Sequence, residues 1–265
     1  MMIASRLVQL IQITDTHCYA SDSSALEWCK EPLLYPNLQL QQVLNYLSTH
    51  YADYDALLMS GDLAQQEVPA TYQLLNERLK RFPLPIHTIP GNHDTVSLAH
   101  TYLESRFWSP ALVQYGVWHI LMLDTSRAHK PDGHLSAEQY QQLSAYLNTI
   151  PANEFALLVM HHHPMVIHSA WMDGMGLQNA NYFWQWVEHY PCIQAVLHGH
   201  IHQEFNAHYH YPSGRAVAVY GTPATSVQLK PLNPTIAIDH ATPAWRTLQL
   251  HPNGSISTRV HYLRS

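Results

Sequence analysis

The chain reads as an α/β fold with a mixed sheet. Three observations predict it: short apolar runs ending in polar residues, segments of helical period between them, and a hairpin signal near the end. The runs cover residues 7–14, 56–60, 86–89, 117–124, 155–160, 193–197 and 217–220. Runs this short and this continuously apolar are buried strands. Leu40, Val43, Leu44 and Leu47 fall at i, i+3, i+4 and i+7, one face of a helix. Tyr72, Leu75, Leu79 and Phe82 mark a second helix. Ser136 with Gln139 can form a capping box for a third, which continues through Tyr140, Leu143 and Leu147. Residues 179–189 make a fourth. Residues 245–250 and 257–260 flank His251, Pro252, Asn253 and Gly254, a hairpin turn that makes the sheet mixed.

No linker, repeat or low-complexity tract interrupts residues 1–265, so a single domain is expected. The apolar fraction of 46% and charged fraction of 12% are globular rather than disordered. A formal net charge of -6 and the lack of a Lys/Arg cluster argue against a nucleic-acid partner. No apolar stretch of about 18 residues is present, so no membrane span is expected. Cys18, Cys29 and Cys192 are widely spaced with no CxxC, as in a reduced, cytoplasmic protein. The apolar start is broken by Gln9 and Gln12 and runs straight into Asp15, which disfavours a signal peptide. The anomaly is histidine: 21 residues against 13 Lys plus Arg. Histidine is the commonest metal ligand, but only position can say which of them serve as one.

Polar motifs follow the strands. Asp15-Thr16-His17 places two ligand types at i and i+2, which share a side in extended chain. Gly61-Asp62 offers a carboxylate, whose two oxygens can bridge ions about 3.5–4 Å apart. In Gly91-Asn92-His93, Gly91 permits a tight turn, Asn92 supplies an amide oxygen and His93 is free to donate a proton. His161, His162 and His163 precede Pro164, and one or two of them can ligate. His198-Gly199-His200-Ile201-His202 repeats the i, i+2 spacing, with Gly199 allowing close backbone approach. Singly, several of these are ordinary loop starts and turns. Together they fall at the carboxyl ends of strands, the edge where α/β sheets bind ligands. A mixed oxygen and imidazole set suits Mn, Fe, Co or Zn better than Ca. Cys18, beside His17, reads as a packing residue.

The pattern DxH…GD…GNH…H…GHxH, running from residue 15 to 202, resembles the calcineurin-like metallophosphoesterase family. His162-His163-Pro164, Trp171-Met172-Asp173, Asn179 and residues 199–204, 222–225 and 243–248 are similar to the bacterial 3′,5′-cyclic AMP phosphodiesterases within it. Residues 18–37 match less well, and Ala224 and Ser226 stand where relatives more often carry Ser and Cys.

The resemblance implies a four-layer α/β/β/α sandwich with two mixed sheets. It implies two divalent ions, Fe(II) or Mn(II) first, then Zn or Co. One ion takes Asp15, His17, Asp62 and His202; the other takes Asp62, Asn92, His162 and His200. Asp62 bridges them. His162 is chosen because the family ligand lies two residues before the proline, which leaves His161 and His163 as neighbours.

The implied reaction uses a water shared by the ions to open 3′,5′-cyclic AMP to 5′-AMP, with Asp62 and His93 as catalytic residues. His93 would stabilise the phosphoryl oxygens or protonate the leaving ribose oxygen. Substrate contacts would come from His17, Asn92, His93, His163, Trp171, Asp173 and Thr225. The expected partner is a small cyclic nucleotide, and a homodimer is compatible with the sequence. Two alternatives are a broader phosphodiesterase acting on 2′,3′-cyclic nucleotides or other diesters, and a non-catalytic interaction module on the same fold. The second should show broken ligand motifs, and none is broken.

Overall fold

The computed structural model describes residues 6–29, 33–107 and 112–263. Strands and helices alternate first through β1 (Val8–Ile13), α1 (Pro36–Thr49), β2 (Ala56–Ser60), α2 (Pro69–Leu79), β3 (Ile86–Ile89) and α3 (Val96–Tyr102). The chain continues through β4 (Leu112–Tyr115), β5 (Trp118–Leu123), α4 (Ala137–Leu147), β6 (Phe155–Met160), α5 (Ala170–Asp173), α6 (Ala180–Glu188), β7 (Ile193–His198), β8 (Phe205–His210) and β9 (Ala216–Gly221). The small hairpin of β10 (Gln228–Leu229) and β11 (Ile238–His240) precedes β12 (Ala244–Leu250) and β13 (Ile256–Tyr262).

These strands form two mixed sheets. The first has the order β13-β12-β1-β2-β3, with β1, β2 and β3 parallel and β12 and β13 antiparallel. The second has the order β4-β5-β6-β7-β9-β8, with four parallel central strands and an antiparallel strand at each edge.

Alternation along each strand sets the layers. In β1, Val8 and Leu10 meet Trp118, Leu157 and Leu197 of the second sheet in a shared inner core. Ile11 and Ile13 face outward onto Leu40, Val43, Tyr72 and Leu75 of α1 and α2. On the far side, Leu158, Val196 and Val219 pack against Tyr140, Leu143 and Phe183 of α4 and α6. The result is α/β/β/α, and sheets covered on both faces explain the unbroken apolar runs. Burying each such Leu, Val or Ile contributes about 1.5–3 kcal/mol, so all three apolar layers add to cohesion.

The inner core ends in polar residues just below the ligand-bearing edge. Arg246 Nε donates to Thr222 Oγ1 at 3.1 Å, and that hydroxyl donates to Gln12 Oε1. Gln12 Nε2 in turn donates to Ser60 Oγ at 2.8 Å and to the His198 carbonyl at 3.3 Å. Burial pushes the Arg246 pKa down to about 10, and the guanidinium is further held by Thr258 Oγ1 and the Gly221 carbonyl. This chain of bonds ties β12, β9, β1, β2 and β7 together.

Two details differ from the sequence reading, and a third agrees with it. The second helix stops at Leu79, and Phe82 packs into the same cluster from the turn beyond it. β8 alternates half-buried and exposed residues with histidine on the open face, so it presented no apolar run. The α4 capping box forms as expected, Ser136 Oγ accepting from Gln139 N and Gln139 Oε1 from Ser136 N. Among the described residues no helix is long and apolar enough to cross a membrane.

Candidate metal centre

Asp15, Asp62, Asn92, His161, His200 and His202 follow β1, β2, β3, β6 and β7, and the sheets bring those strand ends to one edge. Backbone bonds lock the loops to each other. Asp15 N and His17 N donate to the Gly61 and Asp62 carbonyls at 3.0 Å each, and Gly199 N donates to the His161 carbonyl at 3.1 Å. Another contact crosses between the sheets: His200 N donates to Asp15 Oδ2 at 3.0 Å.

Asp15, His17, Asp62, His200 and His202 all have positive φ, between 47° and 69°. The paired residues of DxH and GHxH therefore do not converge by extended alternation, as the spacing suggested. They converge because left-handed residues curl both loops inward. Asp and His tolerate this region better than most residues, but five together mark stored strain at one site. Glycine provides room beside them. A Cβ on Gly199 would lie 2.0 Å from Thr14 Oγ1, and one on Gly91 would lie 2.1 Å from Asp62 Oδ1. Gly91 is thus required for close approach rather than for its turn.

The ligand atoms cluster in overlapping groups, each within 4.8 Å: Asp15 with His17 and His202, His17 with Asp62 and His93, Asp15 with Asp62 and His161, and His161 with His162 and His200. Asp62 lies between the sets, its Oδ2 3.7 Å from His17 Nε2 and its Oδ1 3.3 Å from His161 Nε2. His17 Nε2 and His202 Nε2 face one another at 3.2 Å, and His202 Nε2 is 3.3 Å from Asp15 Oδ1. Two ring nitrogens beside two carboxylates, all buried, fit a cation. The buried Nε2 of His200 has no hydrogen-bond partner among the described residues, which fits ligation.

Within the histidine run, the residue that reaches Asp62 and Asn92 is His161, not the expected His162. His161 Nε2 lies 3.1 Å from Asn92 Oδ1, and its Nδ1 donates to the Ser60 carbonyl at 2.8 Å. That donation leaves Nε2 as the free nitrogen, as a carbonyl does for metal-bound histidine. His202 is set the same way, its Nδ1 donating to the Val227 carbonyl at 2.7 Å. His162 instead pairs Nδ1 with Thr125 Oγ1 at 2.7 Å and joins only the group of histidines.

The electrostatics follow from this packing. Burial alone would raise the Asp62 carboxyl, but His161 and His93 outweigh it and hold it well below the usual carboxylate range. Asp15 is likewise lowered, His202 outweighing burial. Burial opposes a charge on His161, yet Asp62 and Asp15 raise its pKa to about 9; Asp15 similarly raises His202. Burial, reinforced by neighbouring histidines, pushes His17 down to about 3 and His162 and His200 well below their ordinary value. The carboxylates favour protons on His161 and His202, and ligation at those nitrogens would displace them. Burial raises the Cys18 thiol to about 12, which keeps it protonated.

The other expected contacts divide. His93 is half-buried beside His17, ring centroids 5.0 Å apart, and its backbone N donates to Asp62 Oδ1 at 2.9 Å. His163 stacks on His200 and lies 3.6 Å from Asp173 Oδ1, an oxygen that accepts from Ile167 N. Trp171 is half-buried against Ile167, Met172, Ile201 and Leu229. Thr225 is buried, its hydroxyl donating to the Ala244 carbonyl, so it braces the Asp15 loop from beneath.

Several contributors went unread in the sequence. Asp94 accepts from Leu63 N, Ala64 N and Gly91 N, clipping the Asp62 loop to the Asn92 loop. Ser226 Oγ donates to the Asp15 carbonyl at 2.7 Å. Trp28 lies edge-on to both His17 and His202. Asp94 continues the GNH motif and was within reach of sequence reasoning; the other two carry no local signal.

A family model described as calcineurin-like phosphoesterase matches residues 8–204. The chain belongs to that family. Calcineurin-like phosphoesterases similar to it include the 3′,5′-cyclic adenosine monophosphate phosphodiesterase CpdA of Vibrio vulnificus, 34% identical over 99% of this chain and 93% of the relative. The protein of the same name from Escherichia coli strain K12 is 35% identical over 97% of this chain and 90% of its own length. Among solved calcineurin-like folds, a dimetal phosphatase from Danio rerio superposes with a TM-score of 0.65 at 14% identity, covering 91% of this chain and 95% of that one. At that identity the likeness shows the shared fold alone.

Proposed function

We propose that this phosphoesterase opens 3′,5′-cyclic AMP to 5′-AMP on two divalent ions, Fe(II) or Mn(II). The observation that carries the reading is Asp62, one carboxylate set between two groups of buried ligand atoms. The ligand set we assign is Asp15, His17, Asp62 and His202 for one ion, and Asp62, Asn92, His161 and His200 for the other. His161 takes the place that proline spacing gave to His162. The names of relatives matched along nearly the whole chain, from Vibrio vulnificus, Escherichia coli and Nostoc, support the 3′,5′-cyclic substrate.

Two ions in this set would polarise the phosphoryl oxygens and lower the pKa of a shared water to near neutrality. The chain's own residues do the rest. Asp15 and Asp62 leave the site with modest positive charge once ions are bound, which attracts a phosphodiester anion. The carbonyls of Ser60 and Val227 fix the tautomers of His161 and His202. His93 is half-exposed at the same edge, where its ring can donate to a phosphoryl oxygen or to the departing ribose 3′ oxygen.

The test is product analysis with protein loaded with Mn(II) or Fe(II), given cyclic AMP, cyclic GMP and 2′,3′-cyclic AMP. Formation of 5′-AMP from cyclic AMP supports the reading. Turnover of the 2′,3′ isomer alone, or of none, overturns it.

A further inference from the structure

The centre is lined almost wholly by imidazole and carboxylate, which recognise a phosphate and its ions but present no large aromatic face to a purine. One side chain breaks that pattern. The Trp28 ring centroid is 6.1 Å from that of His17 and 6.1 Å from that of His202, at interplanar angles of 82° and 67°. Among the described residues no other indole or phenyl ring pairs with any of the five histidines assigned above or named as candidate ligands, His17, His161, His162, His200 and His202.

Trp28 is held rather than loose. Its indole N–H points to Gln65 Oε1 at 3.4 Å, and Gln65 N donates to the Cys18 carbonyl one residue beyond His17. Its ring packs partly against two apolar clusters, one containing Tyr19, Leu26 and Val227, the other Ile167, Met172, Ile201 and Leu229. It stays half-buried beside the two ligand histidines. Trp171, the tryptophan that motif likeness singled out, packs on the second cluster but makes no ring contact with a ligand histidine.

We infer that Trp28 is the face on which the substrate's purine stacks, and hence a specificity-determining residue. The inference rests on the nucleotide reading above. An aromatic face adds about 1–3 kcal/mol per stacked base, and about 1.4 kcal/mol is tenfold in affinity. It acts on the base and leaves the phosphate's own contacts untouched.

The test compares 5′-AMP with ribose 5-phosphate, the same phosphate and sugar without the base. Dissociation constants for the Mn(II)-loaded protein are measured by calorimetry for wild type, Trp28→Phe, Trp28→Ala and Trp171→Phe, with ion content read for each. The expected result is that Trp28→Ala weakens 5′-AMP about tenfold and leaves ribose 5-phosphate unchanged, while Trp28→Phe, which keeps a ring, restores most of the loss. Equal weakening of both ligands shows that Trp28 merely shields the ions and overturns the proposal. So does a base preference that survives Trp28→Ala or is lost in Trp171→Phe. A wild-type protein that turns over no cyclic AMP, yet prefers 5′-AMP through Trp28, defeats the activity reading and upholds the stacking face.

Discussion

The loops after β1, β2 and β3 bring both carboxylates and the amide to the centre, Asp15, Asp62 and Asn92, with His17 as their one clustered imidazole besides half-buried His93. The loops after β6 and β7 bring imidazoles alone. Each half carries an electrostatic cost of its own. On the first sheet burial and the Asp62 charge both oppose ionisation of Asp15, and only the imidazoles, His202 foremost, outweigh them. On the second sheet burial strips His200 of charge and leaves its Nε2 without a hydrogen-bond partner among the described residues. A cation between the halves would answer both problems and would couple ion binding to the packing of one sheet on the other. The Arg246–Thr222–Gln12 chain holds the sheets in register below that point without an ion.

The largest test of this division is Asp62→Asn, which removes the carboxylate shared between the sets. Turnover is expected to fall about a thousandfold or more, from the loss of several kcal/mol of ion-assisted stabilisation. Ion content measured by mass spectrometry should fall with it, and retention of both would remove Asp62 from the bridging role.

On the second sheet, His161→Ala should lose one ion per chain and at least about a hundredfold in turnover. His162→Gln should keep both ions and lose about 10–100-fold in turnover, the range of an outer partner. Equal ion loss in the two variants would erase the distinction drawn here from tautomer and distance.

Chelation of the wild-type protein probes the coupling itself. Ions at about a hundred times their dissociation constant contribute about 2.7 kcal/mol, and each kcal/mol is worth about 2–4 °C in a chain of this size. Removing them should therefore lower Tm by about 5–10 °C; an unchanged Tm would mean that the sheets hold together independently of the centre. The smallest effect is expected from Ser136→Ala, which deletes the α4 cap behind the second sheet. It should lower stability by about 1 kcal/mol in denaturant unfolding and leave ion content as it was.

Much of the frame was legible in the chain. The apolar runs marked seven of the strands because sheets buried on both faces leave an unbroken hydrophobic signature. The edge strand β8 escaped because half its residues face out, and β4 because it is short and only partly buried. Within the candidate site, Thr225 was expected on a pocket wall but is spent on the Ala244 carbonyl. Its burial follows from the return of β12 beside β1, which no local pattern announces.

Alone, the sequence determined which side chains stand at strand ends and in what order, because ligand chemistry and hydrophobic period are both written residue by residue. The choice among His161, His162 and His163 was a tertiary decision: it depends on which ring finds the Ser60 carbonyl on a strand of the other sheet. The left-handed turns at Asp15, His17, Asp62, His200 and His202 were decided there too, since only contacts between neighbouring loops can hold five strained residues in place. Trp28 belongs to the same class. Its position beside His17 and His202 is set by two apolar clusters drawn from distant segments, and a lone tryptophan in a loop carries no mark of that in the chain.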